Sequence, residues 1–179
     1  DAVFSGVRRG VNAFVTAEKL VALASILEAE AYVSNRDKLR VAQMRMAQIA
    51  EHPWNGSNPD EKVDAYHRKL RWQKELNKKV DEVIENALDV ISRHVPTKAE
   101  TTLLVFNPFS WRRTDIVRVE ATSLGPFKVK DNDTGEILPN DVIDIGGKPV
   151  LTFVAKNVPP LGYKTYTVSR TNRIDFKKS

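Results

Sequence analysis

Three histidines and no cysteines set narrow limits on the chemistry open to this chain. Histidine is the commonest metal ligand and titrates near neutrality. His52 stands in the phrase Glu51-His52-Pro53-Trp54-Asn55-Gly56, which is rich in turn formers and reads as a loop. Its imidazole could bind a metal. Trp54 could wall a sugar pocket, because aromatic faces pack well on apolar sugar faces. The same histidine could equally be a surface residue that closes a helix. One histidine is not a zinc site: zinc takes three or four ligands, and no second histidine stands at a matched spacing. His67 falls within a helical stretch and His94 at its end, where a cation meets the negative helix terminus. Both read as structural.

The other reactive patterns are incomplete. Without cysteine there are no disulfides, thiolate metal sites or cysteine nucleophiles. Asp131-Asn132-Asp133-Thr134-Gly135-Glu136 resembles the start of a calcium loop, but such a loop wants Gly at its sixth position and Glu at its twelfth. Here those places hold Glu136 and Val142, so a hairpin turn is the better reading. Glu28 and Glu30, two apart, point away from each other on a helix. Asp141 and Asp144 have no nucleophile or base nearby in sequence. No G-x-S-x-G, P-loop or dinucleotide fingerprint is present.

Composition narrows the class further. Of 179 residues, 41% are hydrophobic and 28% charged, which is ordinary for a globular chain of one domain or two small ones. The net charge of +5 is spread thinly, with Arg112-Arg113 and Lys177-Lys178 as pairs and no basic stripe. Nucleic-acid binding, which wants a clustered basic face, is not expected. No run of about 18 apolar residues is apparent, so no membrane span is expected. No signal peptide is evident, and a first residue of Asp suggests an excised piece. The lack of cysteine fits both cytoplasm and secretion and leaves the compartment open.

The chain changes character near Val95-Pro96-Thr97, predicting a helical domain over 1–96 and a β-domain over 97–179. A helix is expected to begin at Thr16 as N-cap, with Leu20, Leu23, Ala24, Leu27 and Ala31 on one face, and residues 2–15 to form a loop. A second helix is expected over 36–50, capped by Asn35, with Leu39, Ala42, Met46 and Ile49 as its stripe. A third is expected from Pro59, capped by Asn58 with Glu61 as the capping-box acid, running to Pro96 along Val63, Tyr66, Leu70, Val80, Ile84, Leu88 and Ile91. The economical arrangement is an antiparallel three-helix bundle. Five to seven short strands follow, suggesting an antiparallel sandwich. The fold class is therefore α+β.

Three phrases give the chain a likeness to a known family. Val105-Phe106-Asn107-Pro108-Phe109-Ser110-Trp111-Arg112-Arg113, with Val117 four residues on, resembles the V-x-N-P-x-x-W-x-R-x-x-x-V opening of the C-terminal β-domain in family 38 glycoside hydrolases, the α-mannosidases. Val158-Pro159-Pro160-Leu161-Gly162-Tyr163-Lys164-Thr165-Tyr166 is similar to their V-P-x-x-G-Y-x-x-Y strand entry. The His52 loop falls where the family carries a histidine ligand to its zinc. Many members have His-His-Asp there, with the Asp on the sugar; Pro53 occupies that place here, so no such Asp carries over.

The resemblance spans roughly residues 10–170. It implies a fragment holding the middle helical domain and the start of the β-domain, with His52 as metal ligand and Trp54 as sugar contact. It further implies a retaining hydrolase of α-mannosides or oligosaccharides, using two carboxylates about 5 Å apart and a zinc ion that binds sugar hydroxyls. Those carboxylates belong to an N-terminal catalytic barrel that this chain lacks, so the fragment is expected to be inactive alone. It is also expected to self-associate as a homo-oligomer through apolar surface that the barrel would cover. The rival expectation is a non-catalytic module that binds carbohydrate or protein.

Overall fold

The computed structural model describes residues 2–51, 56–97 and 102–171, with the side chains of 2–4 left aside. The chain divides into two compact units, Asp1–Val95 and Pro96–Ser179. Among the described residues the first holds three helices and the second seven strands in two antiparallel sheets, so the class is α+β.

Helix α1 runs Ala2–Leu27 and not from Thr16. The glycines that suggested a loop serve close packing instead. A Cβ on Gly10 would lie 2.7 Å from Leu76 and Asn77 side-chain atoms, and one on Gly6 would collide with Gln73. Gly10, Phe14, Ala17, Val21 and Ala24 recur every three or four residues on the buried face. Small residues there let two helix axes approach, which offsets glycine's helical cost of about 1 kcal/mol. The Thr16 hydroxyl donates to the Asn12 carbonyl 3.3 Å away, one turn back within the helix, and caps nothing. Over Ser5–Leu27 the mean hydropathy reaches 1.4, so α1 is long and apolar enough to cross a bilayer by length and composition, although its inner face packs on α3. Scattered Gly, Ala and Ser hide that run from the eye.

Helix α2 spans Glu30–Ala50, starting six residues before the place predicted. Asn35 does not cap it. Its side chain is fully buried inside the helix, donating to Ala31 O at 2.8 Å and accepting from Asn86 Nδ2 at 3.0 Å. Helix α3 spans Pro59–Arg93. Asn58 caps it as expected: its Oδ1 accepts from Glu61 N at 2.9 Å. The buried stripe is Ala65, Leu76, Val80, Val83, Ala87, Val90 and Ile91. Val63 and Tyr66, placed on that stripe from spacing, are exposed.

Cross-helix pairs give the directions. Along α2 against α3 the partners are Asn35–Asn86, Arg45–Glu75 and Glu51–Lys69, one number rising as the other falls. Along α1 against α3, Gly6 meets Gln73, Gly10 meets Asn77 and Glu28 meets Arg93, both rising together. The helices thus run up, down and up.

In the second unit the strands are β1 Thr102–Asn107, β2 Arg113–Glu120, β3 Phe127–Asp131, β4 Ile137–Leu138, β5 Asn140–Ile145, β6 Lys148–Val158 and β7 Gly162–Arg170. One sheet has the order β1-β7-β3-β4 and the other β2-β6-β5. Phe127, Val129, Leu138 and Tyr166 of the first share one buried cluster with Leu151, Phe153, Ala155 and Val158 of the second. At about 1.5–3 kcal/mol for each large apolar side chain, this cluster is the unit's main source of stability. The chain passes between sheets at β1–β2, β2–β3, β4–β5 and β6–β7.

Candidate functional site

His52 and Trp54, the residues singled out for metal and sugar, lie outside the described residues. Their flanks are described, and both are pinned. At the α2 end, Glu51 N donates to Ala47 O at 3.1 Å, and Lys69 Nζ donates to Glu51 O at 3.4 Å. At the α3 end, Gly56 has φ 79°. A Cβ there would lie 2.6 Å from the Glu61 oxygen and the Lys62 nitrogen, so only glycine fits. Ser57 N donates to Glu61 Oε2 at 2.7 Å. Residues 52–55 therefore join two anchored points at one end of the helical unit.

His94 closes α3 with Nδ1 3.0 Å from Val90 O, and Glu28 lies 3.8 Å away. His67 is exposed, its ring edge-on to Tyr66 at 5.7 Å between centroids. Neither joins a second ligand. Among the described residues no three His, Asp or Glu side chains gather as a metal centre would require. They do not fit a zinc ion by themselves, and no chemical step through one follows from them.

In the β unit the two sequence phrases meet. Asn107, only 3% exposed, ends β1. Its Nδ2 donates to Trp111 O at 2.7 Å, to Pro159 O at 3.0 Å and to Val158 O at 3.2 Å. Its Oδ1 accepts from Phe109 N at 3.1 Å. Leu161 N donates to Phe109 O at 2.9 Å, and Arg112 Nη1 to Asn157 O at 3.2 Å. One amide thus ties the β1–β2 and β6–β7 crossings together. Asn157 and Leu161 hold φ of 56° and 45° there, a local cost of order 1–3 kcal/mol each that these bonds over-determine. Beside them the Phe109 ring lies between Trp111, 4.7 Å away, and the Arg113 guanidinium, 4.7 Å from its centroid. Trp111 is 58% exposed.

A second polar group is buried on the core side. Lys164 Nζ pairs with Asp131 Oδ2 at 2.5 Å and lies 3.9 Å from Asp133. Burial pushes the Asp131 carboxyl up. The Lys164 ammonium and the N–H groups of Asp133 and Thr134 outweigh it and hold the group below the usual carboxylate range. The fully buried Tyr166 hydroxyl has no partner and is pushed up to about 12, first by burial and then by Asp131 and Asp133. Nothing local in the sequence marks Lys164 as a buried lysine. These groups are spent on structure. The cleft lined by Leu103, Val119, Phe127, Leu151 and Arg170 offers one carboxylate, Glu120, already paired with Lys148 at 3.0 Å.

The chain is similar to one stretch of an α-mannosidase. Over 99% of its length it superposes on 24% of an α-mannosidase from Enterococcus faecalis V583, with a TM-score of 0.64 and 14% identity. At that identity the likeness shows the fold. The chain spans about a quarter of that protein. No family profile and no curated relative matches the sequence.

Proposed function

We propose that the chain is a segment of a zinc-dependent retaining α-mannosidase of glycoside hydrolase family 38. Its helices are the middle domain, and its two sheets are a sandwich that opens the C-terminal domain. The carrying observation is the superposition of nearly the whole chain on part of an α-mannosidase. The meeting of the two resembling phrases at Asn107 supports it independently. The pinned ends of the 52–55 loop suit a role in presenting residues to a site formed elsewhere. In this reading His52 is a zinc ligand and Trp54 a sugar contact, both completing a site whose carboxylates lie on a catalytic barrel. The substrate is a terminal α-mannoside.

The test compares hydrolysis of an aryl α-mannoside by the 179-residue chain with that by a longer polypeptide containing it. Activity confined to the longer polypeptide is expected. Activity in neither, or in the short chain alone, overturns the proposal.

The second reading, a carbohydrate- or protein-binding module, draws on Trp111, exposed and packed at a tilt against Phe109. Binding of mannan by the short chain, lost in Trp111→Ala, with no hydrolysis in the longer polypeptide, would favour it.

A further inference from the structure

Among the described residues Lys164 is the one buried ammonium, 8% exposed. Its Nζ lies 2.5 Å from Oδ2 of Asp131, itself 2% exposed, and 3.9 Å from the Asp133 carboxylate. Two strands hold the pair in place. Asp131 ends β3 opposite Tyr166 of β7, and Lys164 stands two residues before Tyr166 on the same buried face. Tyr166, wholly buried and packed on Phe153 at 5.0 Å, keeps water from the core side. The two oxygens of Asp131 are in different settings. Oδ1 accepts from Asp133 N at 2.9 Å and from Thr134 N at 3.3 Å, while Oδ2 faces the amine. Two backbone N–H groups aimed at one carboxyl oxygen are what a developing oxyanion needs.

We propose that Lys164 and Asp131 condense to an intramolecular amide, a covalent cross-link between β7 and β3. One proton on Nζ passes to Oδ2 along the 2.5 Å contact, leaving a neutral amine beside a neutral acid. The Nζ lone pair attacks Cγ, and the Cγ–Oδ1 π pair moves onto Oδ1, held by the two N–H groups. The Asp133 carboxylate takes a proton from Nζ and delivers it to Oδ2. The pair on Oδ1 then returns, the Cγ–Oδ2 bond breaks, and Oδ2 leaves as water. One ammonium and one carboxylate become one amide and one water, so no oxidant, reductant or co-reactant is needed. Groups held in this way reach effective molarities of about 10⁵–10⁸ M, which favours closure over the free pair. Closure also removes two charges from a buried site, where each is costly. Until it closes, the pair remains ionic. The proposal goes beyond the enzymatic reading and does not rest on it.

The test follows the intact mass of the full 179-residue chain by mass spectrometry while it stands at neutral pH, with circular dichroism confirming that it is folded. Loss of the mass of one water is expected, and fragmentation of a digest should place the new bond between Asp131 and Lys164. Lys164→Arg and Asp131→Ala should each keep their full mass. Asp133→Asn retains its backbone N–H and should slow closure by about a hundredfold, the lower end of what a positioned proton carrier supplies. Full mass in the folded native chain overturns the proposal. So does water lost within β3 alone, by ring closure of Asp131 on the Asn132 nitrogen. Closure of Asp133→Asn at the native rate overturns the role given to Asp133.

Discussion

Asn86 Nδ2 donates to Asn35 Oδ1 across 3.0 Å, joining α3 to a fully buried amide in α2. Asn35 Nδ2 in turn donates to Ala31 O, so both polar ends of that side chain are satisfied. A buried pair of this kind fixes register, because sliding either helix leaves an amide unpaired at about 1–3 kcal/mol. Asn35→Ala is expected to destabilise the helical unit by about 2 kcal/mol. Asn86→Ala should cost less, and the two changes should be clearly non-additive in a double-mutant cycle. Urea unfolding followed by helical circular dichroism measures all three.

Asn107 makes a comparable link in the β unit, with one amide serving the β1–β2 and β6–β7 crossings. Asn107→Asp keeps the size but removes the Nδ2 donor. It should destabilise the β unit by about 2–4 kcal/mol, because three carbonyls lose a shared donor and a charge is buried. Trp111 fluorescence during denaturation reports it. The neighbouring change Ser110→Ala should be near neutral.

The Tyr166 hydroxyl is buried without a partner and titrates near 12, above the ordinary value of 10.0. A raised folded value means that the contribution is fully present below about pH 10 and is lost as pH rises through about 12. Stability should fall across that window. Tyr166→Phe should flatten the fall and leave neutral-pH stability unchanged or raised by up to about 1 kcal/mol, since it removes an unsatisfied group.

At the acid end the sign reverses. Asp131 is held below the ordinary carboxylate value, so its contribution is present above about pH 4 and is lost as pH falls through its folded value. Asp131→Ala strands Lys164 in the core and should cost about 3–5 kcal/mol, whereas the double change Asp131→Leu with Lys164→Met should be far milder. Thermal melts between pH 3 and 7 separate the two.

Some of this was legible in the sequence and some was not. Asn58, Pro59 and Glu61 marked the start of α3 because capping is local chemistry carried by adjacent residues. The hairpin turn at Asp131–Gly135 was readable for the same reason. The first half of α1 was not, since Gly6 and Gly10 weaken a helix locally and are justified only by an α3 more than 60 residues away. Asn35 looked like a cap because asparagine is favoured at that position; its side chain instead meets Asn86. Val63 and Tyr66 kept helical spacing but fall off the face that α1 and α2 cover. The candidate site was legible only through resemblance, since one loop histidine carries no ligand geometry by itself. The structure adds the anchoring of that loop at Glu51 and Gly56.

The central claim is that this segment lends His52 to the metal site of a larger α-mannosidase. The direct measurement is zinc content by mass spectrometry in the longer polypeptide, for the native sequence and for His52→Ala, with aryl α-mannoside hydrolysis measured on the same samples. About one zinc per chain in the native protein, with zinc and hydrolysis lost together in the variant, is the expected result. Full zinc and full hydrolysis in His52→Ala would contradict the account and leave His52 as a loop residue.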